Sequence, residues 1–539
     1  MIRSTAIANL GRYTQRVRSL GWWLTWSLAI WFVLAGIASA QSFRLLEATV
    51  DDVQAALATG QITCRELVQQ YLDRIEAYDQ TGPALNAVQY VNPRALQRAE
   101  SLDTAFAASG PTGPLHCIPV LLKDQVETRI MPTTYGSALF EGFVSGRDAT
   151  IVVRMRDAGA IVLAKTNMGE FASRYVGSAF GIIRNAYDPQ RNPSGSSGGT
   201  GAGIAANFGV LGIGEDTGGS IRGPAAVHSL VGLRPTLPLV SRYGMMPANP
   251  SSDTLGPMTR TVKDAALLLD VIAGYDHHDP VTAYTVGRVP DSYVDALDVE
   301  GLRGARIGVV RDSMDPKTDP DSADQRQIRA VVDRALADMR ALGAAVVDPV
   351  VVPDLELAQR TYVRNNYETE EATNGYLSEH DSAPVKSLRE ILLSGVVTPW
   401  RAKGLMSVVG KSTDDHAYLA VLQAREQLRR IVLATMADNN LDALVYATFD
   451  HQPTLIASDV LTNPDTDDGY ARGNNRFLSP VIGFPALTVP AGFTADRLPV
   501  GLEFLGRPFS EAELLGLAYA YEQATHRREP PSTTPALDR

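Results

Sequence analysis

Gly195-Ser196-Ser197-Gly198-Gly199 and Asp216-Thr217-Gly218-Gly219-Ser220-Ile221-Arg222 lie downstream of an apolar stretch ending in a lysine, Ile118-Pro119-Val120-Leu121-Leu122-Lys123-Asp124. The two glycine-serine clusters set Ser196 and Ser220 24 positions apart. A hydroxyl is a poor nucleophile until a base takes its proton, and a lysine is that base only when desolvation or neighbours hold its amine neutral. Ile118 to Leu122 reads as a buried strand, which would carry Lys123 into such surroundings. Gly-Ser runs also build flexible loops, so the first cluster alone says little. Seven of the 49 basic residues are lysines, so this chain favours arginine for its surface and a lysine ending an apolar strand is not decoration.

Around these stretches β and α elements alternate. A helix opens on the capping box Thr63-Cys64-Arg65-Glu66 and runs toward Ala77, and a second covers about Arg94 to Ala108. A helix near Thr150 to Ala158 feeds a strand Ile161 to Ala164, Gly209 to Gly214 reads as a buried strand, and Thr261 to Ile272 reads as a helix. A βαβ-like stretch follows: Arg306 to Val310, Ala323 to Leu342, Ala344 to Val347. The region from about Thr361 to Lys411 is polar and reads as irregular. A long helix near Ala417 to Asp438 and a strand Ala443 to Ala447 return the chain to the core. Ala486 to Val489, Val500 to Leu505 and Glu511 to Thr525 close it as strand, strand, helix.

The 539 residues exceed one ordinary domain, yet a single enlarged α/β unit with an insertion reaches this size. Hydrophobic residues at 45% and charged residues at 20% place the chain with globular proteins rather than disordered ones. Arg3, Arg12, Arg16 and Arg18 precede an apolar run, Gly21 to Ala38, that ends at Ala38-Ser39-Ala40. That is the layout of a secretory signal over residues 1–40, with an uncleaved inner-membrane anchor facing the periplasm as the alternative. The basic residues before the run export the remainder either way, so residues 41–539 are expected to be periplasmic or secreted. Losing those four arginines takes the net charge from −11 to −15, which argues against nucleic acid or an anionic membrane surface as a partner. Cys64 and Cys117 are the two cysteines; export permits a bridge, and two buried free thiols are the expectation.

These motifs identify a resemblance to the amidase signature family of serine hydrolases. It is carried by Gly113-Pro114-Leu115 through Lys123-Asp124, Met131-Pro132-Thr133-Thr134, Ala164-Lys165-Thr166-Asn167-Met168-Gly169-Glu170-Phe171 and both glycine-serine clusters. Gly256-Pro257-Met258-Thr259-Arg260-Thr261-Val262, Gly483-Phe484-Pro485-Ala486 and Leu498-Pro499-Val500-Gly501 extend it over most of residues 43–528. The resemblance implies an α/β fold: one large domain with a central mixed, twisted sheet flanked by helices and a variable region at about 282–440. It implies a Ser-Ser-Lys triad with Ser220 as nucleophile, Ser196 as a bridging serine on a cis peptide bond, and Lys123 as base. Gly218 and Gly219 would let the N–H groups of Thr217, Gly218, Gly219 and Ser220 face one oxyanion. Asp216 and Arg222 would brace that loop, and Ser197 would hydrogen-bond near Lys123. Cys117 stands where the family usually has glycine.

Other chemistries fit less well. Gly195-Ser196-Ser197-Gly198-Gly199 also matches G-x-S-x-G, which would make Ser197 the nucleophile, but that elbow follows a buried strand and here a polar segment with two prolines precedes it. His277-His278, between Asp276 and Asp279, reads as a polar turn rather than a metal site, and neither a metal nor an organic cofactor is expected. The expectation is an exported amidase, monomeric or homodimeric, cleaving a small-molecule carboxylic amide to acid and amine or ammonia. An esterase or carbamate hydrolase using the same site, and a non-catalytic binding protein on the same fold, are the alternatives. An exported chain argues against the family's role in tRNA-dependent amidation. The variable region would line the pocket, with Tyr362, Tyr367, Tyr376 and Trp400 as candidates for an aromatic wall.

Overall fold

Reciprocal capping starts the first helices of this computed structural model, in which residues 43–537 are described. Thr63 accepts from the Glu66 N–H while the Glu66 side chain returns a bond to the Thr63 N–H, fixing the start of Cys64–Tyr78. Thr49 and Asp52 do the same for Val50–Ala58, a helix the hydrophobic pattern did not reveal. The signal or anchor expected over residues 1–40 lies outside the described residues, and among those no helix is long and apolar enough to cross a membrane.

Eleven strands form one mixed sheet. In chain order they are β1 (Val88–Val91), β2 (Pro119–Lys123), β3 (Ile161–Thr166), β4 (Leu211–Asp216), β5 (Val231–Arg234), β6 (Thr254–Thr259), β7 (Arg306–Val309), β8 (Ala345–Val347), β9 (Ala443–Ala447), β10 (Ala486–Phe493) and β11 (Pro499–Leu505). Their spatial order is β1-β3-β2-β4-β6-β5-β10-β11-β9-β7-β8. β2 runs parallel to both β3 and β4, with Leu122 opposite Ile213, so the carboxyl ends of β2 and β4 emerge side by side.

Side-chain alternation builds two cores from this sheet, as a period of two requires when both faces are covered. Ala443 and Val445 face a core shared with the helices Val262–Ile272, Ala323–Ala341 and Glu511–Thr525. Leu444 and Tyr446 face a second core with Leu428, Val432 and Met436 of the helix His416–Asp438. The helix boundaries read from the sequence hold to within one or two residues, and Glu511–Thr525 matches in full.

Two expectations are corrected. The stretch 361–411 is not irregular: it contains the helix Thr369–Ser378 and the short helices Leu388–Leu393 and Pro399–Met406, and Leu357–Arg364 overlaps its start. Each has ten residues or fewer, too short for periodicity to announce. The three over 369–406 hold because Tyr376, Leu377, Leu388, Ile391 and Leu405 pack against Tyr135, Phe140 and Phe171 in a third core, whereas Leu357–Arg364 packs Ala358 and Tyr362 into the second. Cys64 and Cys117 are not free thiols: a disulfide joins them, with Cα atoms 5.6 Å apart. Cys117 has φ +63°, in the left-handed region that favours glycine, which accounts for the residue the family prefers there.

Candidate active site

Strand ends gather the residues singled out in the sequence. Lys123 is the last residue of β2, and its Nζ donates to Ser196 Oγ at 2.7 Å, with both side chains fully buried. Burial pushes the Lys123 amine below its ordinary value, against the pull of the Glu215 carboxylate. The Gly195–Ser196 peptide bond is cis. Ser197, next to it, is occupied: its Oγ donates to the Glu215 carbonyl at 3.1 Å and accepts from the Glu215 N–H at 3.3 Å. That carbonyl also receives Lys123 Nζ at 3.2 Å, so Ser197 ties the lysine's surroundings to β4 and is not poised as a nucleophile.

Past the end of β4 the chain turns over Asp216. Gly219 N–H donates to Asp216 Oδ1 at 2.7 Å and Ile221 N–H to Oδ2 at 3.1 Å. Arg222 and Arg234 clamp the same carboxylate at 3.2 and 3.0 Å. Burial opposes the charge on Asp216, but the two guanidiniums prevail and hold it well below the usual carboxylate range. Arg222 also pairs with Glu503, and Arg476 donates to the Gly219 carbonyl at 2.8 Å. Asp216 and Arg222 therefore brace the loop as the sequence suggests.

One of the four expected oxyanion donors is spent on that brace. Gly219 sits at φ +108°, and its N–H belongs to Asp216. The N–H groups of Thr217, Gly218 and Ser220 carry no hydrogen bond among the described residues, so three donors remain. Ser220 is 8% exposed, and its Oγ likewise takes no partner among the described residues. Lys123 and Ser196 are thus joined directly, and Ser220 lies in the loop that follows Glu215 with its hydroxyl unpaired among the described residues.

Two acids unmarked by any motif complete the site. Glu215 Oε2 lies 2.8 Å from Lys123 Nζ. Its Oε1 accepts from Thr217 Oγ1 at 2.6 Å, and that hydroxyl lies 2.8 Å from Asp253 Oδ1. A glutamate one place before Asp216 carries no signal by itself; the parallel register of β2 and β4 is what brings it to the lysine. Of the four aromatic candidates, only Tyr362 reaches the loop, where a Cβ on Gly218 would lie 2.3 Å from its ring. Trp400 covers the Arg174 guanidinium at 4.8 Å, Tyr367 packs on Tyr418 at 5.6 Å, and the buried Tyr376 donates to Glu127 at 2.6 Å. Away from this site, Asp276 accepts from Ser241, Thr150 and the His278 N–H, which makes the two histidines part of a turn.

Comparison with known proteins places this geometry. Residues 66–515 match the family model described as Amidase. A probable amidase of Arabidopsis thaliana is 32% identical over 92% of this chain and 93% of its own length. A glutamyl-tRNA(Gln) amidotransferase subunit of Ralstonia nicotianae is 35% identical over 89% of this chain and 99% of its own. Among solved structures, the peptide amidase of Stenotrophomonas maltophilia superposes with a TM-score of 0.81 at 37% identity, covering 91% of this chain and 99% of that one.

Proposed function

The chain belongs to the amidase family of carbon-nitrogen hydrolases, and from that premise we propose that it is an exported enzyme hydrolysing a linear carboxylic amide through an acyl-enzyme on Ser220. The observation that carries this reading is the buried 2.7 Å contact between Lys123 Nζ and Ser196 Oγ beside a loop offering three unpaired N–H groups. Neutral Lys123 takes the Ser196 proton while Ser196 takes that of Ser220, whose Oγ bonds the carbonyl carbon. The carbonyl π pair moves to oxygen and meets the N–H groups of Thr217, Gly218 and Ser220, where losing a single such donor typically costs about 3 kcal/mol. Ser196 then protonates the nitrogen as the C–N bond breaks and recovers a proton from Lys123, which leaves the amine neutral; water, deprotonated through the same relay, then attacks the acyl carbon and the Ser220 oxygen leaves with that proton, releasing the acid. Contacts of this kind tighten when substrate fills the site, which is where Ser220 acquires its partner.

Export is supported by the signal layout of residues 1–40 and by the Cys64–Cys117 bridge, since disulfides persist in oxidising compartments. A fluorophosphonate probe should label wild type at Ser220 and leave Ser220→Ala unlabelled. Labelling elsewhere, or none on folded protein, would favour the binding-protein alternative. Lys123→Ala should depress amide cleavage more than cleavage of the matched ester, because an amine needs a proton to leave. Equal losses on the pair would overturn the relay. A panel varied separately in acyl and amine parts, beginning with a C-terminally amidated peptide, finds the substrate.

A further inference from the structure

The base is tied to more than a serine. We infer that Lys123 heads a buried chain, Lys123, Glu215, Thr217, Asp253, in which Asp253 carries a proton while the enzyme works, leaving Glu215 as the one charged partner that positions the base. The inference rests on reading Lys123 as the base.

A proton count carries it. Thr217 Oγ1 lies 2.6 Å from Glu215 Oε1 and 2.8 Å from Asp253 Oδ1, yet a hydroxyl has one proton and can donate to one of them. Both contacts are hydrogen bonds only if one carboxyl is an acid and donates to Thr217. Two carboxylates would place two negative charges on either side of a single oxygen, with both acids fully buried.

Among the described residues, Asp253 is the one of the two without a cation. Lys123 faces Glu215 at 2.8 Å. Arg234 is taken by Asp216 and the Ser252 carbonyl, Arg222 by Asp216 and Glu503, and Arg242 by Asp279. His278 turns to Asp276, and the neutral Tyr135 hydroxyl has no partner. Asp253 Oδ2 accepts the N–H groups of Ala248 and Asn249, both at 2.8 Å, so the proton sits on Oδ1 and points at Thr217. Burial, and then the Glu215 charge, push this carboxyl up to about 7.

The far end of the chain, itself fully buried, borders a cavity. Asp253 lines a cavity of about 190 Å³ together with Arg242, Tyr243, Pro250, His278 and Asp279. When Asp253 ionises as pH rises, a second negative charge strengthens the hold of Lys123 on its own proton. The acid end thereby sets how readily the base discharges.

Infrared difference spectroscopy of wild type against Asp253→Asn tests the proton directly. Wild type at about pH 6 should show the carbonyl band of an un-ionised carboxyl, absent from the variant and fading in wild type as pH rises through about 7. No difference in that band between folded wild type and Asp253→Asn at about pH 6 would sink the inference; the buried Asp264 and Glu522, pushed up to about 6 and about 8, are present in both proteins and cancel, and Asp253→Ser serves if Asp253→Asn does not fold. Fluorophosphonate labelling across pH tests the coupling. In wild type the labelling profile should bend near pH 7, where Asp253 ionises, and in Asp253→Asn that bend should be gone, because a neutral amide cannot ionise. Glu215→Gln should move the acidic limb down by about one unit or more, since the charge holding a proton on Lys123 is gone. A bend near pH 7 that persists in folded Asp253→Asn, or an unmoved limb in Glu215→Gln, would overturn the chain. Failure of wild type to label strikes the Ser220 reading instead, and the infrared band still decides Asp253.

Discussion

Gly218 shows how little room the loop beside Ser220 leaves. Its backbone passes so close to Tyr362 that a Cβ would lie 2.3 Å from the ring, nearer than atoms pack without displacement. Gly218→Ala should therefore cut fluorophosphonate labelling by about tenfold or more while leaving the unfolding temperature within a few degrees, because Tyr362 or the loop must yield. Labelling at the wild-type rate would show that the loop adapts. Residues with chemistry of their own, Lys123, Ser196 and Ser220, are legible in the sequence because clustered glycines and a strand-end lysine are unusual combinations. Glu215 and Asp253 are not, since an acid near a strand end is ordinary until its neighbour is known. Gly219 is a subtler case: its glycine is readable as a turn, but that its N–H serves Asp216 depends on where the carboxylate sits.

At the level of elements, the disulfide fastens the helix Cys64–Tyr78 to the residue two places before β2, the strand that carries Lys123. Closing a loop with a sequence separation of 53 removes denatured-state entropy worth about 4 kcal/mol in the chain-entropy account. Cys64→Ala/Cys117→Ala should lower the urea midpoint markedly while Ser220 in the surviving folded protein still labels; an unchanged midpoint would show that packing alone fixes the helix. The pairing escapes sequence reasoning because two cysteines 53 positions apart are compatible with both a bridge and two free thiols. The helices at 369–406 escape it for another reason. Each is short, and what stabilises them is a shared apolar contact with Tyr135, Phe140 and Phe171, more than 180 residues away.

Across the whole molecule, buried titratable groups link stability to pH, and His228 is the clearest. It is fully buried, with Nδ1 donating to the Pro224 carbonyl at 2.8 Å and Nε2 accepting the Ala186 N–H at 3.2 Å, an arrangement that needs the neutral ring. Burial pushes its pKa down from 6.5 to about 4. The unfolded chain takes up the proton first, so its contribution is whole above about 6.5 and is lost as pH falls toward 4, by about 3 kcal/mol in all. Wild type should lose more stability than His228→Gln between about pH 7 and pH 5 in urea titrations; parallel losses would remove His228 as the cause. The sequence by itself determined the alternation of strands and helices, the serines and the lysine, and the turn around Asp216, because capping, periodicity and glycine act within a few residues of one another. Only the tertiary structure decided that Glu215 and Asp253 stand behind Lys123 and that Cys64 meets Cys117. Those facts depend on strand register and on contacts between segments tens to hundreds of residues apart, for which no local pattern exists.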